Sequence, residues 1–115
     1  METKQKLNKA DLAQFIGTTQ YFKHWLPGLV YTDGVKYLAE TGGAYWLINA
    51  IASYRRQEQF QVWTLTVADR SAVLTMVEDT GQPEIVRQEI EYTDFPLDEI
   101  TLYLIDGVLL LTSEY

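Results

Sequence analysis

The spacing of apolar residues changes once along the chain. Up to about residue 54, apart from residues 18–29, they recur at helical intervals, and beyond residue 60 they fall into short runs at strand spacing. Asn8 is placed as an N-cap with Asp11 at the third helical position, and Leu7 and Leu12 are spaced as a hydrophobic staple. Leu12, Phe15 and Ile16 define one face of this short helix, and Gly17 is placed to end it. Residues 1–6 read as a flexible arm. Residues 18–29 fit neither period and read as a short extended or single-turn element, with a turn at Pro27-Gly28.

The stretch from 31 to 56 organises the rest. Thr32 or Asp33 caps a helix in which Gly34 tolerates the tight first turn, Val35, Leu38 and Ala39 are spaced for burial, and Gly42-Gly43 is the break. In the following helix, 44–56, Ala44, Leu47, Ile48, Ile51 and Tyr54 gather on one side, and Trp46 and Ala50 widen the arc. Tyr45, Asn49, Ala52, Ser53 and Arg56 form the remaining strip. A helix this apolar has to be covered over most of its circumference, so it is the core helix.

Strand signals follow at 60–68, 72–78, 85–92, 100–105 and 108–113, rich in β-branched and aromatic residues. Asp69-Arg70-Ser71 is short enough for a hairpin, and Asp106-Gly107 predicts a two-residue type I′ turn. Consecutive hairpins predict an α+β fold: two to three N-terminal helices packed on one face of a C-terminal antiparallel β-meander of about five strands. The size predicts one domain over 1–115, helical over 7–56 and sheet over 57–115. The last hairpin puts Ile100, Leu102, Leu104, Leu109 and Leu111 on the face that suits the helices. The other face carries Tyr103, Ile105, Val108 and Leu110, too apolar for a wholly wet side. Either the N-terminal helix covers it or a second copy does. The expectation is a homo-oligomer, a two-fold dimer.

Composition narrows the function classes. The chain has no cysteine, hence no disulfide, no thiolate nucleophile and no sulfur-bound metal. No signal core or membrane-length run is present, which predicts a cytoplasmic protein without membrane contact. The formal charge of −7 is unevenly placed: residues 1–56 hold four acids against seven bases, and residues 57–115 twelve acids against Arg70 and Arg87. The acidic half disfavours direct nucleic-acid binding and favours a basic protein partner, although charge on a solvated face serves solubility equally well.

Chemistry is sparse. There is no phosphate loop, nucleophile elbow, dinucleotide fingerprint or zinc spacing, so no cofactor and no metal are predicted, and an enzyme is the less favoured reading. His24, the single histidine, titrates near neutrality in general, but a ring bonded to backbone beside Trp25 explains it as well. Asn49 is an amide in the middle of the apolar helix; it either bonds the backbone of the Thr32-Asp33-Gly34 turn or of residues 21–25, or faces a ligand cleft with Tyr45 and Ser53. The ligand- or partner-binding candidates are Tyr21, His24, Trp25, Tyr31, Asp33, Tyr37, Glu40, Tyr45 and Asn49.

The run YTDGVKYLAETGGAYWLINAIASY, with FIGTTQYFKHW before it, resembles a family of small single-domain bacterial and phage proteins of unassigned function. That family's pattern runs GT..YY+HW, YTDGV.YLA, AGAYWLIDAIAS, and the likeness covers residues 15–53. The chain departs from it at Gly42-Gly43 and at Asn49, where the resemblance implies aspartate. An amide keeps a hydrogen bond but cannot take up a proton, so if that aspartate is a catalytic base, its absence here argues against activity. The resemblance implies no reaction. Three readings follow: an interaction module self-associating through its sheet and meeting a partner with the aromatic region 20–46; an acidic nucleic-acid mimic that inhibits a host enzyme; and a small-ligand binder or enzyme built on His24, Asp33, Glu40 and Asn49.

Overall fold

In the computed structural model, which describes residues 7–18, 20–54, 58–79 and 81–115, Asn8 caps the first helix as its spacing predicts. Its side chain accepts from the Asp11 N–H at 2.9 Å. The order is α1 (Lys9–Ala13), β1 (Tyr21–Lys23), β2 (Val30–Thr32), α2 (Asp33–Gly42), α3 (Tyr45–Ser53), β3 (Phe60–Ala68), β4 (Ser71–Val77), β5 (Val86–Ile90), β6 (Glu99–Ile105) and β7 (Val108–Leu111), ending in a 3-10 turn, Thr112–Glu114. The expectations for residues 1–6 and for Arg56 lie outside the described residues. Helix α1 stops at Ala13, short of the predicted end, so Ile16 leaves the apolar face and is 82% exposed.

The α+β content is as predicted, but the five-stranded antiparallel meander on N-terminal helices is overturned. Seven strands form one mixed sheet in the order β1-β2-β7-β6-β3-β4-β5, with β2 parallel to β7. Two causes account for the difference. Strands β1 and β2 have three residues each, too few for alternation to show; β1 lies in the stretch 18–29 that fits neither period, and β2 ends on Thr32, read only as a possible helix cap. Strand β6, in turn, makes no hairpin with β5; the chain returns through 91–98 and pairs β6 with β3. The tip of the last hairpin anchors the parallel pair. The Val30 N–H donates to the Gly107 carbonyl at 2.9 Å, and a Cβ at position 107 would lie 2.8 Å from the Gly28 carbonyl.

The last hairpin turn has the predicted hand. Asp106 and Gly107 have φ of 49° and 84°, as a type I′ turn demands. Asp69 and Arg70 take the same left-handed region, at 52° and 64°, without a glycine. Aspartate tolerates that region and arginine does not. Replacing Arg70 with glycine is therefore expected to stabilise the protein by roughly 0.5–1 kcal/mol, read as a higher urea midpoint at unchanged slope.

One face of the sheet carries the core. Trp63, Leu65, Leu74, Met76, Leu102, Leu104, Leu109 and Leu111 are buried there, together with Leu47, Ile48 and Ile51 of α3. This is the aliphatic face predicted from the last hairpin. A nine-residue helix such as α3 does not hold in water alone. Each fully buried aliphatic side chain contributes roughly 1.5–3 kcal/mol, so docking sustains it. Ala52, placed by the sequence outside the main apolar arc, is buried as well.

The start of α2 is fixed by the far end of the chain. Thr32 is its N-cap, accepting from the Val35 N–H at 3.2 Å. The Thr32 hydroxyl donates onward to Glu114 Oε1 at 2.6 Å, the Leu111 N–H donates to the same oxygen at 2.9 Å, and the Gly34 N–H donates to Oε2 at 3.2 Å. A carboxylate at a helix N-terminus is favoured by the peptide dipoles there. This replaces the predicted role of Gly34. Its φ is not in the left-handed region; it is glycine because a Cβ would lie 2.7 Å from the Glu114 carboxylate.

Candidate functional site

The polar centre of the predicted site is a clamp. The Leu26 N–H donates to His24 Nδ1 at 3.0 Å, which fixes the proton on Nε2; that nitrogen donates to Asn49 Oδ1 at 2.7 Å. Asn49 thus finds its partner in the predicted segment 21–25, but on a side chain and not on backbone. Both ring nitrogens are engaged, so His24 holds the loop after β1 against α3 and offers no lone pair to a substrate. Trp25 stacks on the ring at 5.3 Å between centroids and is itself 75% exposed.

Three further candidates, Tyr31, Glu40 and Tyr45, lie on the same side. Tyr45, one helical turn before Asn49, is 40% exposed and hydrogen-bonds Glu40. Its hydroxyl is held above the usual phenol range by desolvation first, then by the Glu40 carboxylate, the neighbouring Tyr31 and that hydrogen bond, so it remains a neutral donor. Tyr31 stacks on Phe22 at 5.7 Å, and the Lys36 ammonium sits 4.5 Å from the Phe22 ring while pairing loosely with Glu40 at 4.0 Å. The other three are elsewhere. Tyr21 pairs with Thr32, which by strand alternation puts it on the opposite face of β1 from Phe22. Asp33 opens α2, and Tyr37 packs on Phe15 of the α1 side at 5.3 Å. A cleft of about 500 Å³ between Gly28, Ile51, Gln61 and Leu104 includes none of the nine. Among the described residues, no group of three His, Asp or Glu side chains is arranged to hold a metal ion.

The second candidate surface is the sheet face away from the helices. Helix α1 does not cover it: Tyr37 of α2 packs on Phe15, and the Ser113 hydroxyl donates to the Leu12 carbonyl. Tyr103, Ile105 and Val108 of the predicted contact are half-buried, whereas Leu110 is only 8% exposed and already shielded. The sequence missed the aromatic centre of this face. Phe60 lies 5.3 Å from Tyr103, and Tyr115 meets both rings edge-on at 5.9 and 5.3 Å while remaining 74% exposed. The register pairing Phe60 with Ile105 and Val62 with Tyr103 would have disclosed it, had β3 been paired with β6 at the outset.

No helix among the described residues is long and apolar enough to cross a membrane. No curated protein and no solved structure matches the chain. Over residues 6–115 it matches a family of unknown function, DUF6876, and it belongs to that family.

Proposed function

We propose that this chain is a small cytoplasmic interaction module that self-associates through the outer face of its sheet. The observation that carries this reading is the ring cluster of Phe60, Tyr103 and Tyr115 on the sheet face opposite the core, with Tyr115 74% exposed. Around it the strand registers place Val62, Val77, Ile105 and Val108. Tyrosine-centred patches of this kind supply a large share of binding energy at protein contacts. The helix side supports contact with a further partner, because Trp25 and Tyr45 stand exposed above a clamp that already holds its polar groups. The engagement of both His24 ring nitrogens by protein groups favours this over ligand chemistry.

Tyr103→Lys tests the self-association. It sets an ammonium into the centre of the contact and leaves the helix-side core untouched. The expected result is a lower mass by light scattering than wild type at matched concentration, with unchanged circular dichroism. The dissociation constant should rise about tenfold or more, a loss of roughly 1.4 kcal/mol. Equal masses at all concentrations contradict the reading.

A further inference from the structure

Strand β1 is an edge of the sheet, three residues long and carrying one lysine. The sheet ends in β1 on one side and β5 on the other. Strand β5 is guarded by exposed Arg87 and Glu89, with Arg87 paired to Glu84 at 3.2 Å. Strand β1 carries Tyr21, Phe22 and Lys23 and is flanked in sequence by Ile16 and Trp25; Ile16, Tyr21 and Trp25 are 82%, 62% and 75% exposed.

Its ladder shows which backbone groups point outward. The His24 N–H donates to the Leu29 carbonyl and the Asp33 N–H to the Gln20 carbonyl, so residues 20, 22 and 24 are the ones bonded toward β2. The N–H and C=O of Tyr21 and Lys23 therefore face away from the sheet. Such a row is a template for another strand.

The side chains suit one occupant. Antiparallel pairing of β1 with itself, centred on Phe22, sets Tyr21 opposite Lys23 in both halves and makes each such pair exchange two backbone hydrogen bonds. On one face an ammonium then meets a tyrosine ring instead of another ammonium. On the other, the two Phe22 rings meet, each already backed by its own Tyr31. A lysine that would repel an arbitrary register is complementary in this one.

We propose that β1 is a docking edge for a second copy of this chain, the two strands pairing antiparallel about a two-fold axis with Phe22 at its centre. The contact is separate from the outer-face contact and does not depend on it.

Lys23→Pro is the test. It removes an outward N–H and no bond to β2, and proline is tolerated on such an edge. Light scattering at matched concentration is expected to show a lower mass for Lys23→Pro than for wild type, with unchanged circular dichroism. The chain carrying both Tyr103→Lys and Lys23→Pro should run at 13.3 kDa. Tyr21→Lys, which places like charges across the pair, should weaken association about tenfold, and adding Lys23→Glu should restore it. A Lys23→Pro chain as heavy as wild type, or a charge swap that restores nothing, overturns the proposal. So does a wild-type chain of 13.3 kDa at every concentration, which would leave the edge to a foreign strand. Failure of the outer-face reading looks different: Tyr103→Lys leaves the mass unchanged while Lys23→Pro lowers it.

Discussion

Trp63→Ala is expected to cost about 3–5 kcal/mol of folding stability, the range for deleting a large aromatic from a packed core. Trp63 is 1% exposed at the middle of β3. Its ring lies 5.6 Å from Tyr54 at the end of α3, and its Nε1–H donates to Gln61 Oε1 at 2.8 Å within the buried face. The substitution therefore opens a cavity under the core helix and takes a donor from a buried amide in one step. Small domains hold about 5–15 kcal/mol in total, so the variant should unfold at far lower urea than wild type. Trp63→Phe separates the two effects. It keeps most of the volume and loses the donor, at an expected cost of about 1–3 kcal/mol. Equal costs for the two variants would show that packing against Tyr54 contributes nothing.

The second large effect joins the two ends of the chain. Glu114→Ala removes the carboxylate that accepts from Thr32, Gly34 and Leu111, and about 3 kcal/mol should be lost, since bonds to a charged acceptor are the stronger kind. Gly34→Ala should reverse sign between backgrounds. In wild type the new Cβ, 2.7 Å from the carboxylate, displaces Glu114 and destabilises the protein. In the Glu114→Ala chain that obstacle is gone, and alanine's advantage over glycine in a helix, up to about 1 kcal/mol, should appear as a gain. A double-mutant cycle by urea unfolding measures this, and additive costs would contradict the contact.

What the sequence disclosed about the fold follows from range. The Asn8 cap, the cap before α2 (Thr32 of the two residues offered), the break at Gly42-Gly43, which falls on Gly43 with its φ of 62°, and the Asp106-Gly107 turn are decided within four residues, and each formed. The buried face of the last hairpin followed from alternation over six residues on each side. Strands β1 and β2 had no such length. Glu114, 82 residues from Thr32, carries no local signature at all. Neither does the Gly34 contact that depends on it.

The candidate site divides along the same line. Asn49 stood out because an amide in an apolar helix needs a partner, and its partner, 25 residues away, lay in one of the two segments proposed for it, on a side chain where backbone was expected. Period alone could not say that His24 would supply both nitrogens to protein atoms. On the sheet, Tyr103, Ile105 and Val108 were legible as an over-apolar face, whereas Phe60 and Tyr115 join Tyr103 only through the pairing of β3 with β6 and the C-terminal turn.

Self-association through the outer sheet face is tested most directly by following side-chain NMR signals of the wild-type chain as its concentration is raised. The rings of Phe60, Tyr103 and Tyr115 and the methyls of Ile105 and Val108 are expected to shift with concentration, while Trp63 and Leu65 on the buried face stay fixed. Signals of the outer face that hold still from the lowest concentration to the highest would contradict it.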